Sequence, residues 1–138
     1  SVNNSILYVG GRDSGNNLFY ITSTDGINFT QQESIGQASS HAPAFAEFNG
    51  VLYIAWTGMD QQLNVLPLGG KKVTLSETSE TAPTLAVAGG QLFIGWPGTD
   101  SNNSLNLLTS KDGIHFGTKS TLNESTDAGF SIVAFPGS

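Results

Sequence analysis

The hydrophobic positions of this chain fall in short bursts separated by Gly, Asn, Asp, Ser and Pro. No stretch places apolar residues at i, i+3, i+4 and i+7 over even three turns, which argues against amphipathic helices. The two densest bursts are Leu52-Tyr53-Ile54-Ala55-Trp56 and Leu92-Phe93-Ile94-Gly95-Trp96. In the first, Leu52, Ile54 and Trp56 alternate with Val51, Tyr53 and Ala55, so both faces are apolar. A strand of that kind is covered on two sides, whereas a half-buried strand alternates apolar with polar. Read with their turn residues, the later burst and its neighbours predict strands over 84–88, 91–96, 104–109 and 116–122. Gly89-Gly90, Pro97-Gly98-Thr99-Asp100 and Lys111-Asp112-Gly113 supply the turns. The earlier set predicts strands over 44–48, 51–56, 63–66 and 72–75, with Asn49-Gly50 as the first turn.

These sets are copies of one pattern. The two dense bursts sit 40 residues apart, and a weaker version, Leu7-Tyr8-Val9-Gly10-Gly11, precedes the first by 45. Ala42-Pro43 recurs as Ala82-Pro83 and then as Ala128-Gly129. A period of about 43 residues is the signature of solenoids, propellers or arrays. Four short antiparallel strands per period predict an all-β fold, a β-propeller of four-stranded blades with three blades per chain. Residues 6–40 supply strands two to four of a blade that lacks its first strand, and 129–135 supply a first strand with nothing after it. The expected organisation is a single half-propeller domain, 1–138, of three repeats: about 129–138 plus 1–40, then 41–80, then 81–128. Propellers close with roughly 4 to 8 blades. Three blades alone would expose sheet edges and apolar faces. Two copies would make six blades, so a homodimer completing the propeller is expected, each terminal strand filling the other chain's first blade. The alternative is a fragment of a longer propeller.

Ser23-Thr24-Asp25-Gly26-Ile27-Asn28-Phe29 returns 87 residues later as Ser110-Lys111-Asp112-Gly113-Ile114-His115-Phe116. This segment resembles the Asp-box of sialidase-like propellers, Ser-any-Asp-any-Gly-any-Thr-Trp, in a shortened form with Gly directly after Asp and Phe in place of Trp. The middle copy reads Pro67-Leu68-Gly69-Gly70 instead. Whole repeats look like those of non-catalytic bacterial proteins of the sialidase-like type. The resemblance implies that the box is a structural turn between third and fourth strands, remote from any active site. Its chemistry suits that role, since Asp accepts hydrogen bonds from the turn's own amides and Gly takes positive φ.

Composition narrows the function classes. A net charge of -6 without a basic cluster makes nucleic acid and anionic membranes poor partners. No apolar run approaches the roughly 20 residues of a membrane-spanning helix, so membrane insertion is not expected. Cysteine is absent, which removes disulfides and thiolate metal sites and leaves localisation open, secretion included. A sialidase-like enzyme holds its substrate carboxylate with three arginines, and this chain has only Arg12. Other glycosidases need two carboxylates roughly 5 to 10 Å apart, one with a raised pKa. Most acids here, including Asp13, Asp60 and Asp100, fall in polar turns. Glu47 differs by lying on an innermost strand. His41 and His115 occupy different repeat positions, and no nucleophile elbow is present. The Asn-rich loops lack the multiple carboxylates that calcium recruits. The expectation is a protein that is not an enzyme, with no cofactor and no metal.

A sugar binder needs an aromatic face and a few fixed polar groups. The repeats offer Trp56 with Asp60 and Trp96 with Asp100. The segments before the Ala-Pro steps add His41, Glu77 and Glu124. Both indoles also read as packing between blades. The first copy has Gly10-Gly11-Arg12-Asp13 in place of a Trp motif, so any sites are unequal or fewer than the blades. The expected function is a multivalent, lectin-like carbohydrate-binding propeller with glycans as partners. The alternatives are a structural or protein-interaction propeller, either a fragment or a designed repeat protein, and, more weakly, a degenerate sialidase-like glycosidase domain.

Overall fold

The computed structural model describes residues 6–126 and 132. Among them the chain is all-β, with eleven strands in three antiparallel sheets and no helix. The first sheet holds β1 (Leu7–Arg12), β2 (Asn17–Ser23) and β3 (Glu33–Ala38). The second holds β4 (Ala44–Phe48), β5 (Val51–Thr57), β6 (Gln62–Pro67) and β7 (Val73–Thr78). The third holds β8 (Thr84–Ala88), β9 (Gln91–Pro97), β10 (Ser104–Ser110) and β11 (Gly117–Ser125). Each is a meander in which consecutive strands pair. The expected terminal strand at 129–135 lies outside the described residues except for Ile132, whose amide donates to Thr84 Oγ1 at 3.3 Å.

Turn chemistry sets the register. Phe48 pairs with Val51 across Asn49 (φ 54°) and Gly50 (φ 77°). Ala88 pairs with Gln91 across Gly89 (φ 58°) and Gly90 (φ 75°). Two successive positive φ values define the tight hairpin that matches strand twist, and Asn-Gly or Gly-Gly adopts it at least cost. Strands β7 and β11 run further than their apolar residues indicate. Their tails, Ser76-Glu77-Thr78 and Asn123-Glu124-Ser125, are polar, yet pairing resumes beyond an irregularity as Gln62↔Thr78 and Ser104↔Ser125.

Packing follows from the alternation along β5. Tyr53 and Ala55 enter a cluster with Leu63, Val65, Leu92, Ile94 and Trp96, between the second and third sheets. Ile54 and Trp56 enter a second cluster with Leu18 of the first sheet. Successive side chains of a strand point to opposite faces, so the central sheet is covered on both sides. β4 touches both β1 and β8, which places these strands side by side across the sheets.

Two buried serines tie neighbouring sheets together. Ser39, after β3, donates through Oγ to the Thr57 carbonyl at 2.6 Å. Ser79, after β7, donates to the Pro97 carbonyl at 2.8 Å. The amides of Ser39 and Ser79 are held in turn by the carbonyls of Asn16 and Gln61.

The two Ser-any-Asp-Gly segments fold alike. Asp25 Oδ1 accepts from the amides of Ile27 (2.9 Å) and Asn28 (2.8 Å), while Ser23 Oγ accepts from Gly26 N. Asp112 Oδ1 accepts from Ile114 and His115, both at 2.8 Å, and Ser110 Oγ accepts from Gly113 N. Gly26 (φ 75°) and Gly113 (φ 78°) both occupy the left-handed region. These bonds hold both carboxyls well below the ordinary value of 3.8. The largest causes are the Asn28 amide at Asp25 and the His115 ring at Asp112.

Candidate functional site: paired grooves between the sheets

The connection from second to third strand turns sharply on a glycine. Gly58 N donates to Gln62 O, and Gly98 N donates to Ser104 O, both at 2.8 Å. A side chain on either glycine would press on the polar groups of the loop and the third strand. A Cβ on Gly58 would lie 2.7 Å from Asp60 Oδ1 and 3.1 Å from Asn64 Nδ2. On Gly98 it would lie 2.9 Å from Asn106 Nδ2 and 3.0 Å from Asp100 Oδ1. The missing side chain is what lets a loop carboxylate and a strand amide meet at one spot.

Each spot lines a groove whose other wall is the last strand of the preceding sheet. Between the second and third sheets, a groove of about 320 Å³ is lined by Glu77, Trp96, Asp100, Asn106, Lys119 and Thr121. Between the first and second sheets, one of about 420 Å³ is lined by Gln37, Trp56, Asp60, Asn64, Lys72 and Thr74. The sets correspond residue by residue, with Gln37 exchanged for Glu77. Thr121 Oγ1 donates to Asn106 Oδ1 at 2.7 Å, and Asn106 Nδ2 to Ser104 O at 3.0 Å. Thr74 Oγ1 donates to Asn64 Oδ1 at 2.7 Å, and Asn64 Nδ2 to Gln62 O at 3.1 Å. The asparagines are therefore struts engaged at both ends of the amide. The lysine, the loop aspartate and the Glu or Gln of the facing wall line the same groove.

The grooves differ in charge. Lys119 Nζ reaches Glu77 Oε1 at 3.0 Å, an ion pair spanning the two sheets. Lys72 Nζ faces Gln37 Oε1 at 3.5 Å, without a neutralising carboxylate at that position. The Ser104 amide and hydroxyl both donate to Asp100, and the amide bond is the largest cause lowering its pKa, so the loop presents an anion at neutral pH.

Of the residues expected from sequence, Trp96, Asp100 and Glu77 line one groove, and Trp56 and Asp60 line the other. Both indoles are only 1% exposed and form groove floor rather than an open wall. His41 is half-buried before β4, beside Ser40 Oγ, and lines neither groove. Glu124 holds on β11 the place of Glu77 on β7, exposed and with no following sheet among the described residues. Glu47 is exposed on β4. The lysines, asparagines and threonines escaped sequence reasoning. Lys72 and Thr74 precede Lys119 and Thr121 by 47 residues, not 40, because both the second-to-third connection and the turn before strand four are longer in the third sheet. Among the described residues, no group of three or more His, Asp or Glu is placed to hold a metal ion.

The first sheet carries a different solution. Register pairs Trp56 with Asn64 and Trp96 with Asn106, but Gly11 with Phe19. The Phe19 ring lies 3.2 Å from where a Gly11 Cβ would stand. Aromatic bulk has moved to the facing strand, and the strut is lost.

No protein-family model matches the chain, and a search of curated proteins finds no match.

Proposed function

We propose that the chain is a non-enzymatic binding protein that takes carbohydrate in its two inter-sheet grooves. Its sheets are read as blades of a β-propeller that a second copy closes into a six-bladed ring. The observation that carries the reading is duplication of the groove. Glycine, aspartate, asparagine, lysine and threonine recur in one geometry above a buried indole, at two places that share no residue. A hydroxyl-rich ligand needs fixed donors and acceptors together, and each groove supplies a lysine and a carboxylate on a rigid frame. Grooves of a few hundred Å³ admit one or two sugar rings, and repetition turns weak single contacts into avidity. The single Arg12 leaves no triad to hold a sialic acid carboxylate in the manner of the sialidase-like enzymes.

The test is glycan-array screening followed by calorimetric titration of the best ligand. Two sites per chain are expected, falling to one in either Lys72→Ala or Lys119→Ala. Absence of binding to any glycan, with the protein folded, would sink this reading in favour of a protein-interaction role.

A further inference from the structure

We infer that the exposed face of the first sheet is a docking surface for the exposed face of the third sheet of a second copy. This rests on reading the sheets as propeller blades and does not depend on the ligand. Leu7 and Val9 hold on β1 the register positions of Leu92 and Ile94 on β9. The β9 pair is fully buried against the second sheet, yet Leu7 is 51% and Val9 41% exposed. Phe29 closes the first Ser-any-Asp-Gly turn and is 41% exposed, whereas its counterpart Phe116 packs against the cluster between the second and third sheets.

The far face of the third sheet shows the complementary loss. Leu63, Val65 and Leu75 of the second sheet are buried by the third. Their register mates Leu105 and Leu107 are only half-buried, and Leu122 is 40% exposed. The same is true of the glycine contact. A Cβ on Gly113 would overlap the Tyr53 ring of the preceding sheet, while Gly26 has no atom within 4 Å of that position. Phe93 is the residue of the third sheet that stands where Tyr53 stands in the second.

The two open faces are thus the two halves of an interface that the chain already makes internally. Seating one copy's Leu7, Val9, Gly26 and Phe29 on another's Phe93, Leu105, Leu107 and Leu122 continues that interface. Two such seams close a ring of two copies, while head-to-tail contacts that fail to close would give filaments.

The test is solution mass by light scattering over a dilution series of the full chain, with thermal melting alongside. Wild type is expected at twice the chain mass. Val9→Lys and Leu122→Lys each place a charge in both seams and should raise the dissociation constant on the order of 100-fold or more. Ile114→Lys, exposed although its neighbouring sheet is present, should leave the mass unchanged. Mixing Val9→Lys with Leu122→Lys restores one undamaged seam and should recover part of the dimer, an outcome that docking of like faces cannot give. If Val9→Lys does not melt cooperatively, Leu7→Lys replaces it. A folded wild type at single-chain mass, a dimer indifferent to both lysines, or a closed mass other than two chains would overturn the inference. Both grooves lie within one chain, so glycan titration of the monomeric Leu122→Lys variant reports on ligand binding separately.

Discussion

Gly113 lies against the ring of Tyr53 across the boundary between the second and third sheets, so closely that a single methyl group on the glycine would overlap the phenol. Gly113→Ala therefore combines left-handed backbone strain with overpacking, and should cost about 2–4 kcal/mol in denaturant unfolding. Gly26→Ala has the same backbone but open space within the chain. At dilutions where chains are single, it should cost only about 1–2 kcal/mol. Equal losses for the two variants under those conditions would show that the Tyr53 contact contributes nothing.

Ser79 offers a second test of how the sheets are joined. Its hydroxyl is buried, donates to the Pro97 carbonyl and accepts from the Thr81 amide. Ser79→Ala leaves both of those groups short of a partner, at a cost of about 1–3 kcal/mol. Ser39→Ala breaks the equivalent bond to Thr57 O and should fall in the same range. Ser34→Ala, at an exposed residue whose hydroxyl accepts from the local Gly36 amide, is the control and should change stability little.

Much of the strand pattern was legible in the sequence because burial on both faces leaves a doubly apolar run, and 51–56 carries one. The hairpins at Asn49-Gly50 and Gly89-Gly90 were equally plain, since few residue pairs accept two positive φ values. The strand tails at Glu77 and Glu124 were not, because their pairing uses backbone alone and leaves no apolar trace. The groove was half visible. Trp, Gly and Asp share a 40-residue spacing, but the lysines and threonines lie beyond a turn of variable length. The exchange of Gly11 with Phe19 against Trp with Asn is invisible until register brings the two strands together.

Acid should weaken both Ser-any-Asp-Gly turns. Asp25 and Asp112 titrate in the folded chain well below their ordinary 3.8, each bound by amides of its own turn. A depressed folded pKa means stability that is complete above the unfolded value and is lost as pH falls toward the folded one. Urea midpoints should accordingly be level near neutrality and decline from about pH 5 downward, where an unfolded carboxyl starts to protonate. Asp112→Asn should lower the midpoint at pH 7, with the gap to wild type narrowing steadily as pH falls from about 5 to 2. A constant gap between the two proteins at every pH would show that the charge on Asp112 is immaterial.

The buried indoles and the exposed lysines of the grooves should separate folding from binding. Trp96 sits in the cluster between the second and third sheets, so Trp96→Ala should destabilise by about 3–5 kcal/mol and reduce binding only through lost structure. Lys119 and Glu77 are partly exposed, and removing either charge should change stability by no more than about 1 kcal/mol. Lys119→Ala should nonetheless abolish the site between the second and third sheets while leaving the Lys72 groove intact. Glu77→Gln copies the Gln37 arrangement of the other groove, so it should retain binding and shift preference toward anionic sugars by removing the carboxylate that neutralises the lysine. Titrations with a neutral and an acidic glycan of equal size provide the measurement. Unchanged selectivity in Glu77→Gln would mean that the ion pair faces away from the ligand.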